Sequence, residues 1–261
     1  KNTAGEMFKK GGGASGDKGT LTPLQAVCSA LAGCVGTANI AGVATAMVVG
    51  GPGAVFWMWV IALLGMMTKC VEVTLGQYYR IKGKDGVYYG GPMYYIERGM
   101  GKKWKPLAIF FAITIILGGL GTAAFAQPYT MSTAVQRTFG VPAWIVTVVA
   151  AVICGVVLIG GVKGIGKFCE KITPAMCLIY VVGALGVIFV NIRFVPQAFA
   201  AIFKYAFAPM PAIGGLAGST LALALRQGAA RGTFSNEAGC GSSPITHATA
   251  ITDHPFKEGM Y

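Results

Sequence analysis

The sequence predicts an all-α integral membrane protein, and three observations favour this fold class. Only 11% of the 261 residues are charged and 54% are hydrophobic, whereas soluble domains carry about 25% charged residues. Fifty consecutive residues between Lys18 and Lys69 include no charged side chain, and about 20 apolar residues are enough to cross the hydrocarbon core once. Long uncharged runs recur further along the chain. We therefore expect several membrane crossings.

Turn residues and charges divide the chain into a polar leading segment at 1–22 and a membrane domain at 23–261. Glycine and proline at 50–53 separate the first two spans, because together they stop one helix and start another. A basic loop at 80–105 precedes the third span, and a short amphipathic segment at 195–204 precedes the sixth. The six spans are predicted at 24–49, 54–79, 106–137, 142–162, 172–190 and from about Ala212 onward.

The net charge of +12 is distributed as membrane orientation requires. If the first span enters from the cytoplasm, the cytoplasmic segments hold 14 basic residues and the opposite segments hold 3. Basic residues concentrate on the cytoplasmic side of membrane proteins, so the leading segment at 1–22 is expected inside the cell. The basic residues form no aromatic-studded surface, which argues against nucleic acid as a partner.

Two of the predicted spans are interrupted by polar or glycine-rich sequence. The first break lies at 33–39 and the second at 229–239. Inverted-repeat transporters open each repeat with a discontinuous helix and bind their substrate where the two breaks face each other. Five spans followed by a broken sixth predict a first repeat at about 23–192 and the start of a second at about 205–261. We interpret the chain as a fragment, or a truncated gene product, of a longer transporter.

Broken helices expose peptide groups that bind ions. In the first break we assign the N–H groups around Thr37 and Ala38 to a substrate carboxylate, because helix N-termini attract anions. The carbonyl groups of Ala32 and Val35 are candidate sodium ligands. The amide oxygen of Asn39 either binds sodium, which prefers oxygen ligands, or makes an interhelical hydrogen bond. The sequence leaves both roles open.

The second break places Ser235, Asn236 and Glu237 in a row at membrane depth. An ionisable group there needs a partner, and Arg231 is a nearby cation, so we predict a gating or charge pair between Arg231 and Glu237. The alternative is that Glu237 lies at a water-filled edge. Gln127, midway along the third span, either contacts the substrate or joins helices by hydrogen bonds.

Other chemistry has little support in the sequence. The seven cysteines are scattered and lack the spacing of a zinc site or a disulfide framework. His247 and His254 have no metal-ligand spacing, and we expect both at solvent or at an interface. Residues 161–167 imitate a phosphate-binding loop, but Phe168 follows where Ser or Thr is required, which predicts a basic interhelical turn. Without a catalytic constellation or a cofactor motif, we expect no enzyme.

Four blocks resemble the alanine/glycine:cation symporter (sodium:alanine symporter) family. The first is the run Gly-Gly-Pro-Gly-Ala-Val-Phe-Trp-Met-Trp-Val-Ile-Ala-Leu-Leu-Gly at 50–65, and the others lie at 39–46, 90–97 and 231–239. They occur in order and cover nearly the whole chain. The resemblance implies a LeuT-type fold in a bacterial or archaeal inner membrane, with further spans before and after this chain.

The resemblance also implies which residues line the substrate site. These are the first break at Gly36, Thr37, Ala38 and Asn39, then Gln127, and the second break at Ser235, Asn236 and Glu237. We also predict Phe234 as a substrate-binding residue. Ala38 stands where the family usually has glycine, so its methyl group is expected to crowd the close backbone approach. Pro128, beside Gln127, is a second departure from the family pattern.

We therefore predict a secondary active symporter that couples sodium entry to the uptake of alanine or glycine by alternating access. Sodium is the coupling ion, no cofactor is expected, and membrane lipid surrounds the spans. One alternative is a proton-coupled symporter with Glu237 as the proton carrier. The other is a non-transporting half-transporter that acts as a scaffold or sensor.

Overall fold

The computed structural model describes residues 20–210 and 219–261, and these are mainly α-helical. Within these residues the first seven α-helices are α1 (Pro23–Cys34), α2 (Ala41–Gly50), α3 (Gly53–Tyr78), α4 (Pro92–Met100), α5 (Lys105–Gly118), α6 (Ala124–Phe139) and α7 (Ala143–Ile159). The remaining helices of the described part are α8 (Gly161–Val190), α9 (Val195–Phe207), α10 (Leu221–Asn236), α11 (Ser242–His247) and α12 (Pro255–Met260). Strands β1 (Ile81–Lys82) and β2 (Tyr88–Tyr89) pair antiparallel.

Short tighter or wider turns connect several helices. Three-residue 3₁₀ helices lie at Thr37–Asn39, Lys102–Trp104 and Ile192–Phe194. A π-helical segment at Gly119–Ala123 joins α5 to α6, so the predicted third span is one helical run with a widened turn in its middle. Pro128 lies inside α6.

In the part of the chain that the structure describes, three helical segments are long and apolar enough to cross a membrane, at Gly53–Tyr78, Lys102–Phe139 and Gly161–Val190. Shorter apolar helices occur at Pro23–Cys34, Ala41–Gly50 and Ala143–Ile159. Large apolar side chains along these helices are exposed, among them Leu63 and Leu64 on α3 and Ile159 on α7. Exposed apolar helix surface of this extent is suited to lipid. The chain is a membrane protein built from α-helices.

Two sequence predictions about connecting segments are wrong. Residues 161–167 were predicted as a basic interhelical turn but belong to α8, which begins at Gly161. Lys163, Lys167 and Lys171 recur every four residues, a spacing that puts charges on one face of a helix. The basic loop at 80–105 contains the β1–β2 hairpin and α4. The predicted start of the sixth span, near Ala212, lies outside the described residues.

The chain divides into two compact units. The first comprises the described part of Lys1–Gly33, together with Lys69–Ile172 and Cys240–Tyr261. Its small buried core joins Leu21, Ala26 and Ala250, with Val162 packed against them. Leu21 and Ala250 form a parallel bridge, and Arg80 donates to the carbonyl groups of Ala248 at 3.0 Å and Ala250 at 2.7 Å.

The second unit comprises Cys34–Thr68 and Thr173–Gly239. Small residues allow its helices to pack closely, as is usual between membrane helices. A Cβ atom added at Gly228 of α10 would lie 2.5 Å from the carbonyl oxygen of Ala54 on α3. Trp57 donates its indole N–H to the carbonyl of Ala206 on α9 at 3.0 Å. An aromatic cluster of Phe56, Trp57, Phe203 and Phe207 fills the α3–α9 contact.

Candidate functional site

The first helix interruption lies where the sequence predicted it. Helix α1 ends at Cys34, one 3₁₀ turn covers Thr37–Asn39, and α2 begins at Ala41. Gly36 is extended, with φ −145° and ψ −158°, and its N–H donates to the side-chain oxygen of Asn39 at 3.2 Å. The glycines weaken the helix here, and the asparagine side chain closes the turn that replaces it.

The second interruption is shorter than predicted. Helix α10 continues without a break to Asn236, so the prediction that it opens from residue 229 is wrong. Gly228 and Gly232 are buried against α3, and these glycines serve close helix packing rather than helix opening. The chain leaves the helix at Glu237, whose φ is 52°. Gly239 and Gly241 also have positive φ before α11 begins at Ser242.

Hydrogen bonds join the two interruptions inside the second unit. The side-chain amide of Asn39 donates to the hydroxyl of Ser235 at 2.8 Å. The thiol of Cys34 donates weakly to the backbone carbonyl of Asn236, at a sulfur–oxygen distance of 3.7 Å. The end of α1 and the 3₁₀ turn therefore meet the last turn of α10. The interhelical role considered for Asn39 is confirmed, and its oxygen keeps a second lone pair for another partner.

Asn236 is held at its oxygen but not at its nitrogen. Its side-chain oxygen accepts the N–H of Ala238 at 2.9 Å, which forms a tight turn just after α10. Its side-chain nitrogen is buried, and the described hydrogen bonds provide it with no acceptor. A buried donor without a partner costs about 1–3 kcal/mol. This nitrogen is therefore a place where an acceptor group on a ligand would be stabilising.

The other predicted site residues occupy varied positions. Val35, Thr37, Arg231 and Glu237 are half-buried, and the side chain of Phe234 is exposed. The carbonyl of Ala32 belongs to the last turn of α1, where carbonyl groups have no intrahelical donor. Ala38 is described in its backbone alone, within the 3₁₀ turn. Gln127 lies on α6 of the first unit with an exposed side chain.

A buried polar cluster surrounds His247, and no sequence pattern predicts it. The expectation that His247 lies at solvent or an interface is wrong, since it is 6% exposed. Its Nδ1 lies 2.7 Å from Oε1 of Glu258, which is also buried, and Gln77 donates to its backbone carbonyl. These groups come from α3, α11 and α12, so no local spacing could reveal them. His254 is exposed, as expected, and its Nδ1 accepts the N–H of Phe256.

The oxygen atoms at the interruptions determine which ions could bind there. Within residues 20–210 and 219–261, no three His, Cys, Asp or Glu side chains form a group that could hold a metal ion. A cation at the first interruption would rely on peptide carbonyls and the Asn39 oxygen. Neutral oxygen donors of this kind suit hard cations such as sodium rather than transition metals.

The chain is similar to known transport proteins along its whole length. A family model described as the sodium:alanine symporter family matches residues 2–261. An uncharacterized transporter of Haemophilus influenzae is 44% identical over 257 residues, which are 98% of this chain and 55% of the relative. The probable sodium/glutamine symporter GlnT of Bacillus subtilis is 42% identical over 249 residues, or 95% of this chain and 51% of that protein.

A third relative gives a similar match. The sodium/alanine symporter AgcS of Methanococcus maripaludis is 41% identical over 245 residues, which are 93% of this chain and 53% of that protein. The chain spans about half the length of the curated relatives it matches.

Proposed function

Because the chain belongs to the sodium:alanine symporter family, we propose that it forms part of a secondary active symporter. In this proposal sodium entry drives the uptake of a small neutral amino acid, alanine or glycine. The family is one of transporters, and two relatives are named a probable sodium/glutamine symporter and a sodium/alanine symporter. The proposed location is the inner membrane of a bacterial or archaeal cell, crossed several times.

The observation that carries the proposal is the hydrogen bond between Asn39 and Ser235 at 2.8 Å. It links two interrupted helices that are far apart in sequence, which is the arrangement by which inverted-repeat transporters build a substrate site. We propose a LeuT-like fold in which the first repeat covers about 23–192 and the second begins at about 205. Residues 1–22 would then lie on the cytoplasmic side.

The substrate would bind between the two interruptions. Its carboxylate would accept from the N–H groups around Thr37 and Ala38 in the 3₁₀ turn, and from the unsatisfied amide nitrogen of Asn236. Ser235 and Phe234 would line the same site. The half-buried Arg231 and Glu237 would act as a gating pair beside the turn where α10 ends.

Sodium would bind at the end of α1. The carbonyl oxygens of Ala32 and Val35 and the amide oxygen of Asn39 are the proposed ligands, since hard cations prefer oxygen. One sodium ion crossing 100 mV supplies about 2.3 kcal/mol, and a tenfold sodium gradient adds about 1.4 kcal/mol. Together these would support roughly a 500-fold accumulation of the amino acid.

The test is uptake of labelled L-alanine by the full protein in lipid vesicles. We expect uptake when sodium is high outside, and loss of uptake when potassium replaces sodium at the same pH. Uptake that is independent of sodium but depends on an imposed proton gradient would overturn the sodium proposal in favour of proton coupling. Failure to move any neutral amino acid would favour a scaffold or sensor.

A further inference from the structure

The family-like block at 50–65 ends in Gly65, a residue that the proposed function leaves without a role. Gly65 lies on α3, is buried, and faces the end of α10 within the second unit. Its neighbours are Asn236 and Ala238, which flank the point where α10 gives way to the turn. The glycine therefore packs directly against the second interruption.

A side chain at position 65 would meet the amide of Asn236. An added Cβ atom would lie 2.7 Å from the Asn236 side-chain nitrogen, 3.3 Å from its Cγ, and 3.2 Å from the Cβ of Ala238. Real Cβ atoms do not approach other heavy atoms to 2.7 Å, so the amide would have to move. Because Gly65 is inside a regular helix, an alanine there would cause no backbone strain of its own.

The amide of Asn236 has little freedom to move without losing contacts. Its oxygen accepts the N–H of Ala238 at 2.9 Å, and its backbone carbonyl accepts the thiol of Cys34. Rotating the side chain away from α3 would break the turn that Ala238 closes. The unsatisfied side-chain nitrogen of Asn236 can therefore keep its observed direction only while position 65 has no side chain.

We propose that Gly65 is a positioning residue for the substrate carboxylate, because its missing side chain leaves the space in which the Asn236 amide is held. The inference rests on the proposed function, in which that amide donates to the carboxylate. Gly65 itself touches neither substrate nor ion. It acts through Asn236, so its substitution should change carboxylate recognition rather than transport in general.

The experiment compares Gly65→Ala, Asn236→Ser and the double variant in the full protein. Sodium-driven uptake of L-alanine gives the half-saturating alanine concentration and the maximal rate. Inhibition of this uptake by L-alaninamide, which lacks the carboxylate, gives the preference for alanine over alaninamide. We expect Gly65→Ala to raise the half-saturating concentration and to lower the preference for alanine over alaninamide by about tenfold each, the effect of one lost hydrogen bond to a charged group. The maximal rate should change less.

The double variant and a matched glycine separate positioning from general packing. In the Asn236→Ser background, which keeps a short acceptor for Ala238, Gly65→Ala should change the preference less than about twofold. Gly232→Ala is the control, since the nearest atoms to its added Cβ would be Ile61 side-chain atoms at 3.2 Å and the Met58 backbone at 3.4 Å. It should keep the wild-type preference. The proposal would be overturned if Gly232→Ala lowered the preference for alanine over alaninamide as much as Gly65→Ala does. It would also be overturned if the effects of the two single variants on this preference added up in the double variant.

A second measurement does not depend on transport. Thermal unfolding without substrate compares the wild type, Gly65→Ala, Asn236→Ser and the double variant. The shifts in unfolding temperature should be non-additive, because residues in contact couple. If the wild-type protein carries no amino acid but these shifts are non-additive, Gly65 still positions Asn236 and the proposed function is what fails. Additive shifts would show that Gly65 does not act through Asn236.

Discussion

Asn39 and Ser235 are joined by a hydrogen bond of 2.8 Å, and each belongs to a different interrupted helix. The same asparagine side chain accepts the N–H of Gly36. One side chain therefore closes the first interruption with its oxygen and fastens it to the second with its nitrogen. The two atoms of this amide can be tested separately, because Ser235 contacts only one of them.

Asn39→Ala should impair sodium use more than Ser235→Ala does. Ser235→Ala removes the interhelical bond but none of the proposed sodium ligands. This bond is worth about 0.6 kcal/mol in membrane proteins, or about threefold in the half-saturating sodium concentration. Asn39→Ala also removes the proposed oxygen ligand, and we expect a change beyond tenfold. The measurement is sodium-dependent alanine uptake. Thr45→Ala on α2, whose hydroxyl bonds within its own helix, is the control. Equal effects at positions 39 and 235 would remove Asn39 from the ion site.

Gly228→Ala should destabilise the protein, because a Cβ atom there would lie 2.5 Å from the Ala54 carbonyl oxygen and 2.6 Å from the Trp57 Cβ. Overpacking of this kind costs about 1–3 kcal/mol. Gly183→Ala on α8 has no atom within 4 Å of the added Cβ and should stabilise the helix by up to about 1 kcal/mol. Thermal unfolding in detergent measures both. A neutral Gly228→Ala would contradict the close α3–α10 packing.

His247→Ala should cost much more stability than His254→Ala. Removing His247 leaves the buried Glu258 without the ring nitrogen at 2.7 Å, and breaking a buried pair in this way costs about 3 kcal/mol. His254 is exposed and only caps α12, a role worth about 1 kcal/mol. Because the chain has two histidines, each is the matched control for the other in a thermal unfolding experiment. Equal losses would count against the buried cluster.

Tyr89→Phe should raise the pKa of Asp85. The Tyr89 hydroxyl and the N–H of Val87 donate to the carboxylate and hold its pKa below the ordinary value of 3.8. A lowered pKa in the folded state adds stability above the unfolded pKa, and this is lost as the pH falls through the folded value. Both side chains are exposed, so we expect a measurable titration shift with little change in unfolding. Carbon NMR of the Asp85 carboxyl group measures it.

The Tyr89→Phe experiment on the β1–β2 hairpin has its own control. Tyr78→Phe removes a hydroxyl from an exposed tyrosine on α3 and should leave the titration of Asp85 unchanged. A fall in the pKa of Asp85 on Tyr89→Phe would mean that the hydroxyl does not stabilise the carboxylate.

The helical membrane class and the first interruption could be predicted because their signals are local. Uncharged runs identify spans wherever they pack, and the glycines around Asn39 weaken the helix in which they lie. The second interruption was misplaced because glycine has two uses in a membrane helix. Gly228 and Gly232 allow close approach to α3, and only the structure distinguishes this use from helix opening.

The polar cluster and the role of Gly65 were beyond sequence reasoning for another reason. His247 is buried by contacts from Gln77 and Glu258, which lie on separate helices. Gly65 matters through Asn236, which is distant along the chain. Periodicity and motif spacing report on neighbours within one element, so partners brought together by packing leave no pattern to detect.

The bridge between Leu21 and Ala250 ties one of the first described residues to one of the last. The ribosome synthesises Ala250 long after Leu21 has emerged, so the bridge cannot form while the intervening helices insert. Closing so long a loop is slow, because it costs entropy before the contact that stabilises it has formed. Assembly of this region is therefore expected to be a late event in biogenesis, and the growing chain would keep residues 20–22 accessible to a protease until synthesis has passed Ile251.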